Sequence, residues 1–313
     1  MFHYFFASFG CRKQKATLPN RPARIILLGD SITQLSFSAN NAGWGAHLAD
    51  QYQRRADGEG EFVWDVLYLI FNFCSTKLSH YFFTSVLNRG KGGYNTDWFL
   101  SYLNSPEGKQ DIFGSVHCAM NVRIVTIFFG ANDASDALLN PRHHVPLPRF
   151  KDNLKKIVSA IIEHAGHHVK IIIICPPPVH HESRLKHQIE RHGTNATGKL
   201  ERTLQLSGAY AKAAAEVANN LKIPHLNLWK DMQKAAPGPG ELWSKYLDDG
   251  LHLSREGNIF VGQKLIELVQ KNFPELSVRP CPHTGCPGNS TSFCPGLDQL
   301  GAWHDHINNR NPL

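Results

Sequence analysis

The sequence predicts an α/β protein, a doubly wound parallel sheet of five strands with helices on both faces. Three observations carry this. Strand-like segments recur near 24–28, 86–89, 122–129, 169–174 and 223–229, and those at 24–28, 122–129 and 169–174 are apolar runs with β-branched residues. Segments with helical periodicity lie between them, and strands that alternate with helices pair in parallel. The first three strand-like segments stop at Gly29, Gly90 and Gly130, and the fourth stops at Cys175-Pro-Pro-Pro178. Abrupt ends of this kind mark the carboxyl edge of buried parallel strands, where Pro cannot donate to a ladder. With five strands the expected order is 2-1-3-4-5, and the switch point falls between the first and third strands.

Taken in order, Arg24-Ile-Ile-Leu-Leu28 is the first strand, and it runs into Gly29-Asp-Ser-Ile-Thr33. Gly-Asp-Ser is ordinary turn composition by itself. It gains weight from its place at a strand end, where ligands of open α/β sheets bind. Gly43-Trp-Gly45 leads into a helix over 46–56, with Leu48 and Tyr52 on one face and Arg54 and Arg55 near the C-terminus, where the helix dipole favours cations. The stretch 58–85 is crowded with aromatics and follows neither a period of 2 nor one of 3.6. Val86-Leu-Asn-Arg89 is a short strand ending at Gly90-Lys-Gly-Gly93, and Thr96 is read as the cap of a helix to about Leu103. After the strand at 122–129 comes Gly130-Ala-Asn-Asp133, then an amphipathic helix over 149–164 with Phe150, Leu154, Ile157, Val158, Ile161 and Ile162 inward. An Ala-rich helix spans about 200–221, and the last strand spans 223–229. Asp248-Asp-Gly-Leu-His252 is a loop, and Ser254 opens a final helix to about Phe273.

Composition narrows the function. The 313 residues are 42% hydrophobic and 19% charged, which are globular values. The net charge is +7, but Lys and Arg are scattered with no dense basic block, so nucleic acid is not an expected partner. No apolar run reaches the ~18 residues a membrane span needs. The apolar start, Met1 to Phe9, precedes the basic Arg12, Lys13 and Lys15, the reverse of a secretory signal. A cytoplasmic location is expected, with an organellar leader as the alternative because no acid precedes Asp30. Of the seven cysteines, Cys11, Cys74, Cys118 and Cys175 are dispersed in or beside apolar runs and are expected to be buried free thiols. Cys281, His283, Cys286 and Cys294, with His304 and His306, could hold zinc, but their spacing fits no standard pattern and a disordered tail is expected. The His pairs 143–144, 167–168 and 180–181 are expected on solvated loops, and Gly90-Lys-Gly-Gly93 lacks the Lys-Ser/Thr of a phosphate loop.

Three Gly-bearing or polar strand ends therefore converge on one spot, carrying Ser31, Gly93 and Asn132. A serine hydroxyl needs a base to take its proton, and His is the usual base near neutral pH. Asp249-Gly-Leu-His252 supplies one, with a carboxylate placed to hold the ring; no other Asp in the chain has a His three residues after it. The Ser31 and Gly93 backbone N–H groups and the Asn132 amide are candidate donors to an oxyanion.

The blocks Gly29-Asp-Ser-Ile-Thr33, Gly92-Gly-Tyr-Asn95, Gly130-Ala-Asn-Asp133 and Asp249-Gly-Leu-His252 resemble those of the GDSL or SGNH hydrolases. Gly43-Trp-Gly45, Asn88-Arg-Gly90 and Phe128-Phe-Gly-Ala-Asn-Asp-Ala134 are similar to the isoamyl acetate-hydrolysing esterase branch of that family. The resemblance covers about 23–272 apart from the aromatic stretch. It implies a three-layer α/β/α fold and hydrolysis of short-chain, acetate-type carboxylic esters through an acyl-enzyme, with no metal and no cofactor. It implies Ser31 as nucleophile, His252 as base, Asp249 as the acid that orients it, and Ser31, Gly93 and Asn132 as the oxyanion hole. The second-block glycine is Gly92 or Gly93, and alignment on Tyr94-Asn-Thr96 favours Gly93. The expected partner is a small-molecule ester; the oligomeric state is left open.

The expected layout is an N-terminal extension over 1–22, a hydrolase domain over 23–275 carrying the insert 58–85, and a Cys-, Pro- and Gly-rich disordered tail over 276–313. Removing 58–85 would restore a helix-to-strand connection of ordinary length. The stretch therefore reads as translated non-coding sequence, against the alternative of a lid over the acyl pocket. Two other functions stay open: deacetylation of a sugar at the same site, and a non-catalytic product on the same scaffold. Turnover of p-nitrophenyl acetate with a Ser31→Ala control separates enzyme from non-enzyme.

Overall fold

A computed structural model describes residues 23–53, 84–238 and 241–276. The extension over 1–22, the aromatic stretch up to 83 and the tail from 277, with its cysteine and histidine cluster, lie outside the described residues.

Five parallel strands form one sheet in the order β2-β1-β3-β4-β5, as the sequence predicts. They are β1 (Ala23–Gly29), β2 (Thr84–Gly90), β3 (Val122–Phe128), β4 (Lys170–Cys175) and β5 (His225–Asn227). Side chains alternate between the faces of a strand, and here both faces are apolar. Ile26, Leu28, Val125, Ile127, Ile171 and Ile173 enter one buried cluster. Their neighbours Ile25, Leu27, Ile124, Ile172 and Ile174 enter the other. Continuous apolar runs are therefore what this sheet requires, since each face must be covered.

The first face is covered by α3 (Thr96–Asn104), α4 (Pro106–Phe113), α6 (Leu147–Ala165) and α8 (Leu204–Asn220), through Phe99, Ile112, Leu154, Ile161 and Tyr210 among others. The other face is covered by α2 (Trp44–Gln53), α9 (Leu228–Ala235) and α10 (Arg255–Asn272), through Trp44, Leu48, Met232, Val261 and Leu265. Fully burying one such side chain contributes about 1.5–3 kcal/mol. Two short helices, α1 (Ser31–Gln34) and α5 (Val116–Ala119), and the peripheral α7 (His181–His192) complete the described α-helices.

Several expectations are corrected. The last strand is three residues long, because Asn227 caps α9 with its side chain on the Lys230 N–H and the chain turns helical at Leu228. The cap of α3 is Asn95, whose Oδ1 accepts the Trp98 N–H, and Thr96 is the first helical residue. Helices α4, α5 and α7 were not expected; α7 buries none of its residues, so it has no apolar stripe to read. Cys175 is buried, but Cys118 is only half-buried.

Strand β2 begins two residues earlier than expected, with Thr84 paired to Ala23 and Ser85 to Arg24. A deletion of 58–83 therefore keeps the full β1–β2 ladder, whereas a deletion of 58–85 removes two of its residues. The 58–83 variant is expected to melt several degrees above the 58–85 variant, about 1–2 kcal/mol being at stake in a domain of this size. Calorimetry of the two variants checks this, and equal melting temperatures would contradict the register.

Candidate active site

The site grows from the end of β1. Gly29 closes the strand, and the buried Asp30 accepts the Ile32 N–H at 2.9 Å on Oδ1, which starts α1 at Ser31. Short polar side chains at such positions satisfy otherwise orphaned N–H groups. The turn is clamped from the far side by Trp44, fully buried, whose indole N–H reaches the Ile32 carbonyl at 3.4 Å and whose ring packs 6.1 Å from that of Phe128. Gly90, at the end of β2, lets α1 lie flush on the sheet edge: a Cβ there would stand 2.1 Å from the Gln34 nitrogen.

Ser31 Oγ lies 2.8 Å from His252 Nε2, although 221 residues separate them. His252 Nδ1 lies 2.9 Å from Asp249 Oδ2. The carboxylate is itself held tightly. Its Oδ1 accepts the Leu251 and His252 N–H groups at 2.9 and 2.7 Å, and its Oδ2 also accepts Arg184 Nη1 at 3.1 Å. Burial alone would push Asp249 up, but the His252 hydrogen bond and charge and the two backbone donors outweigh it, so its pKa sits well below the usual carboxylate range. The loop folds sharply at Gly250 (φ 80°), where a Cβ would meet the Arg184 nitrogen at 2.5 Å. The start of α7 therefore buttresses the loop, and the His180 N–H donates to the Gly250 carbonyl at 3.0 Å.

The other two strand ends meet beside Ser31. Asn132, nearly buried, donates from Nδ2 to the Tyr94 carbonyl at 3.0 Å, which fastens it to the residue after Gly93. Its Oδ1 accepts Arg202 Nη2 at 2.9 Å. Arg202 also donates from Nε to the Ala131 carbonyl at 3.0 Å. Gly93 itself has φ 76°, a backbone conformation that favours glycine.

Ser31, His252 and Asp249 thus form one hydrogen-bonded row, and the Asn132 amide is tied to the backbone just after Gly93. Such a row can pass a proton from a serine hydroxyl to an imidazole whose tautomer is fixed by the acid. Arg184, Glu201 and Arg202 were not foreseen as site residues. One signal was available: Arg202 immediately precedes Thr203, the N-cap of α8, where the helix dipole disfavours a cation. The His pairs also divide. His167 and His168 are exposed, as expected. His180 is buried as the cap of α7, with Nδ1 2.8 Å from Ser183 Oγ. His144 Nδ1 lies 2.7 Å from the Ser135 carbonyl, and His143 packs 5.3 Å from Trp98 and borders Gly93. His143, His144 and His180 are thus held by partners, while His181 is exposed as expected. Burial pushes the Cys175 thiol up to about 12, so it is inert as a nucleophile. Among the described residues no group of three or more His, Cys, Asp or Glu side chains is gathered to hold a metal, and no helix is long and apolar enough to cross a membrane.

Comparison with known proteins gives the chain a family. The GDSL-like lipase/acylhydrolase family matches residues 25–265. The bovine (Bos taurus) isoamyl acetate-hydrolyzing esterase 1 homolog is 36% identical over 253 residues, covering 81% of this chain and 84% of its own. A GDSL esterase/lipase of Arabidopsis thaliana is 32% identical, covering 92% and 95%. The isoamyl acetate-hydrolyzing esterase of Saccharomyces cerevisiae is 30% identical, covering 80% and 88%. Among solved structures, the lipase/acylhydrolase from Enterococcus faecalis superposes with a TM-score of 0.50 at 24% identity, covering 83% and 100%. An acetylxylan esterase from Geobacillus stearothermophilus, in a catalytic-mutant structure, gives 0.50 at 14% identity, covering 80% and 95%. At these identities the two structures show the fold alone.

Two further acids lie under the site. Asp30 and Asp133 are fully buried, and each leaves its Oδ2 without a hydrogen-bond partner. Asp133 Oδ1 accepts both the backbone N–H and the hydroxyl of Thr96. Burial nevertheless pushes Asp133 up to about 7 and Asp30 up to about 6, and the nearby Asp30 adds to the shift at Asp133. A carboxyl whose folded pKa lies above its unfolded value of 3.8 holds its proton more tightly when folded. Its contribution to stability is complete below about pH 4 and is lost as pH rises through about 7. Asp133→Asn keeps an acceptor for Thr96 and abolishes this titration. Between pH 4.5 and 6.5 the wild type is expected to lose up to about 1.4 kcal/mol per pH unit more than the variant, one proton's worth of linkage. Urea unfolding across that range measures it, and parallel pH profiles would refute it.

Proposed function

We infer, from the premise that the chain belongs to the GDSL-like lipase/acylhydrolase family and is a carboxylic ester hydrolase, that it cleaves short-chain, acetate-type esters through an acyl-enzyme on Ser31. The observation that carries this reading is the continuous row Ser31 Oγ–His252 Nε2–Asp249 Oδ2, at 2.8 and 2.9 Å.

Ser31 Oγ attacks the ester carbonyl carbon while its proton passes to His252 Nε2. Asp249, kept ionised, stabilises the imidazolium and holds its Nδ1–H. The carbonyl oxygen becomes an oxyanion that accepts from the Ser31 and Gly93 N–H groups and from the Asn132 amide. On collapse the C–O bond to the alcohol breaks and His252 returns the proton to the leaving oxygen. Water then repeats the sequence, deprotonated by His252, and releases the acid and free Ser31. No step calls for a metal. The bovine and yeast relatives are named for isoamyl acetate hydrolysis and are at least 30% identical to this chain, which supports an acetyl group and a small apolar alcohol. The acetylxylan esterase is related at 14% identity and lends no comparable support to a sugar ester.

Ser31→Ala is expected to lower kcat for p-nitrophenyl acetate by about 10³-fold or more, with a residual rate from the oxyanion donors. Ser31 sits at a loop-to-helix junction, so the variant should fold, and circular dichroism verifies that. Near-normal turnover in a folded Ser31→Ala protein would end the assignment.

A further inference from the structure

Between the loop that carries His252 and the loop that carries Asn132 runs a line of four charged side chains. Arg184 Nη1 donates to Asp249 Oδ2 at 3.1 Å, and Arg184 Nη2 donates to Glu201 Oε1 at 3.1 Å. The same Glu201 oxygen accepts Arg202 Nη1 at 2.6 Å, and Arg202 Nη2 ends the line on Asn132 Oδ1 at 2.9 Å. All four are shielded from solvent, with side-chain exposures of 14% for Asp249, 12% for Arg184, 20% for Glu201 and 7% for Arg202. Two further bonds fasten the backbone around this line: Arg202 Nε to the Ala131 carbonyl, and the Asp136 N–H to the Glu201 carbonyl at 2.7 Å.

We propose that Arg202, anchored by Glu201, is a positioning residue that turns the Asn132 amide so that its NH2 faces the oxyanion. This rests on the reading above that Asn132 is an oxyanion donor. The two ends of a side-chain amide are nearly identical in shape, so packing scarcely distinguishes the orientation that stabilises an oxyanion from the one that repels it. A guanidinium breaks that symmetry, because it can only donate. Its Nη2 must meet the amide oxygen, which leaves Nδ2 on the opposite side with one N–H on the Tyr94 carbonyl and the second N–H for substrate. Helix stability does not account for a cation here, just ahead of the N-terminus of α8. A buried guanidinium is retained at a cost in desolvation, which its three directed bonds in this position offset.

The test is a double-mutant cycle on the full chain with p-nitrophenyl acetate: Arg202→Met, Asn132→Ala and the double variant. Asn132→Ala is expected to lower kcat by about 10²–10³-fold, as loss of an oxyanion donor does. Arg202→Met is expected to lower kcat by about 10–100-fold with KM changed less than about threefold, since the amide acts on the transition state and not on ground-state binding. The double variant should match Asn132→Ala within about threefold, because the effect of Arg202 passes through the amide. Multiplying effects, or a folded Arg202→Met protein with normal kcat, would overturn the proposal. A fully active Asn132→Ala protein would instead overturn the oxyanion reading beneath it, and the proposal with it. Should Arg202→Met fail to fold, Arg202→Lys carries the same cycle, keeping the charge but losing the simultaneous directed bonds; it is expected to show a smaller kcat loss that vanishes in the Asn132→Ala background.

Discussion

The site depends on the position of β1 between β2 and β3. In a parallel sheet, crossovers from a central strand leave to opposite faces on its two sides, and a crevice opens at the carboxyl edge between them. Ser31 stands at the end of β1, Gly93 beyond the end of β2 and Asn132 beyond the end of β3. Nothing local to the three loops would bring them together. Their convergence follows from the ladder that pairs Gly29 with Gly90 on one side and with Phe128 on the other. That ladder in turn rests on the alternating apolar faces of β1. Ile25 and Leu27 pack toward α2 and α10, and Ile26 and Leu28 pack toward the opposite helices. The chemistry and the core are thus parts of one strand order.

Three aspartates near the site show how surroundings decide what a carboxyl can do. Asp249, Asp30 and Asp133 all suffer from burial. Asp249 meets the His252 ring, two backbone N–H groups and Arg184, and stays ionised. Asp30 has a single donor in Ile32, and Asp133 has only Thr96, so neither fully offsets its desolvation. Asp249, the acid that faces the His252 ring, is the one surrounded by donors. The other two serve the backbone, Asp30 as the start of α1 and Asp133 as the tie between the β3 loop and α3.

Much of this was legible in the sequence, for physical reasons. Buried parallel strands need uninterrupted apolar runs, so 24–28, 122–129 and 169–174 stood out, and the expected strand order followed. The row of Ser31, His252 and Asp249 was legible because a serine at a strand end needs a base, and Asp249 and His252 were unique in spacing. What escaped notice was what leaves no periodic trace. Helix α7 buries no apolar stripe, and the short β5 hid the start of α9, because 223–229 reads as one continuous strand. His180 looked solvated beside a second His, yet its ring is edge-on to Trp243 at 5.7 Å and closes the start of α7. Arg184 and Arg202 are 18 positions apart in polar stretches, and only the folded chain brings both onto one carboxylate oxygen.

The direction of that line of charges matches the direction in which charge must move. In the proposed reaction, attack by Ser31 creates a cation on His252 and an anion at the carbonyl oxygen. The line presents the negative Asp249 to the first and ends in the positive Arg202 behind Asn132 at the second. Arg184 and Glu201 fill the interval with alternating signs, so the four charges sum to zero and each ion meets an opposite partner within 3.1 Å. An isolated Arg202 or Asp249 in this position would bear a desolvation penalty of several kcal/mol. Paired in series, they keep a fixed field at the site while solvating one another. Fixed dipoles and charges that already point along the reaction's charge displacement require little reorganisation when the transition state forms. The same pairing makes the orientation of His252 and that of the Asn132 amide parts of a single electrostatic unit, because Glu201 Oε1 is shared between the guanidinium that holds Asp249 and the one that holds Asn132.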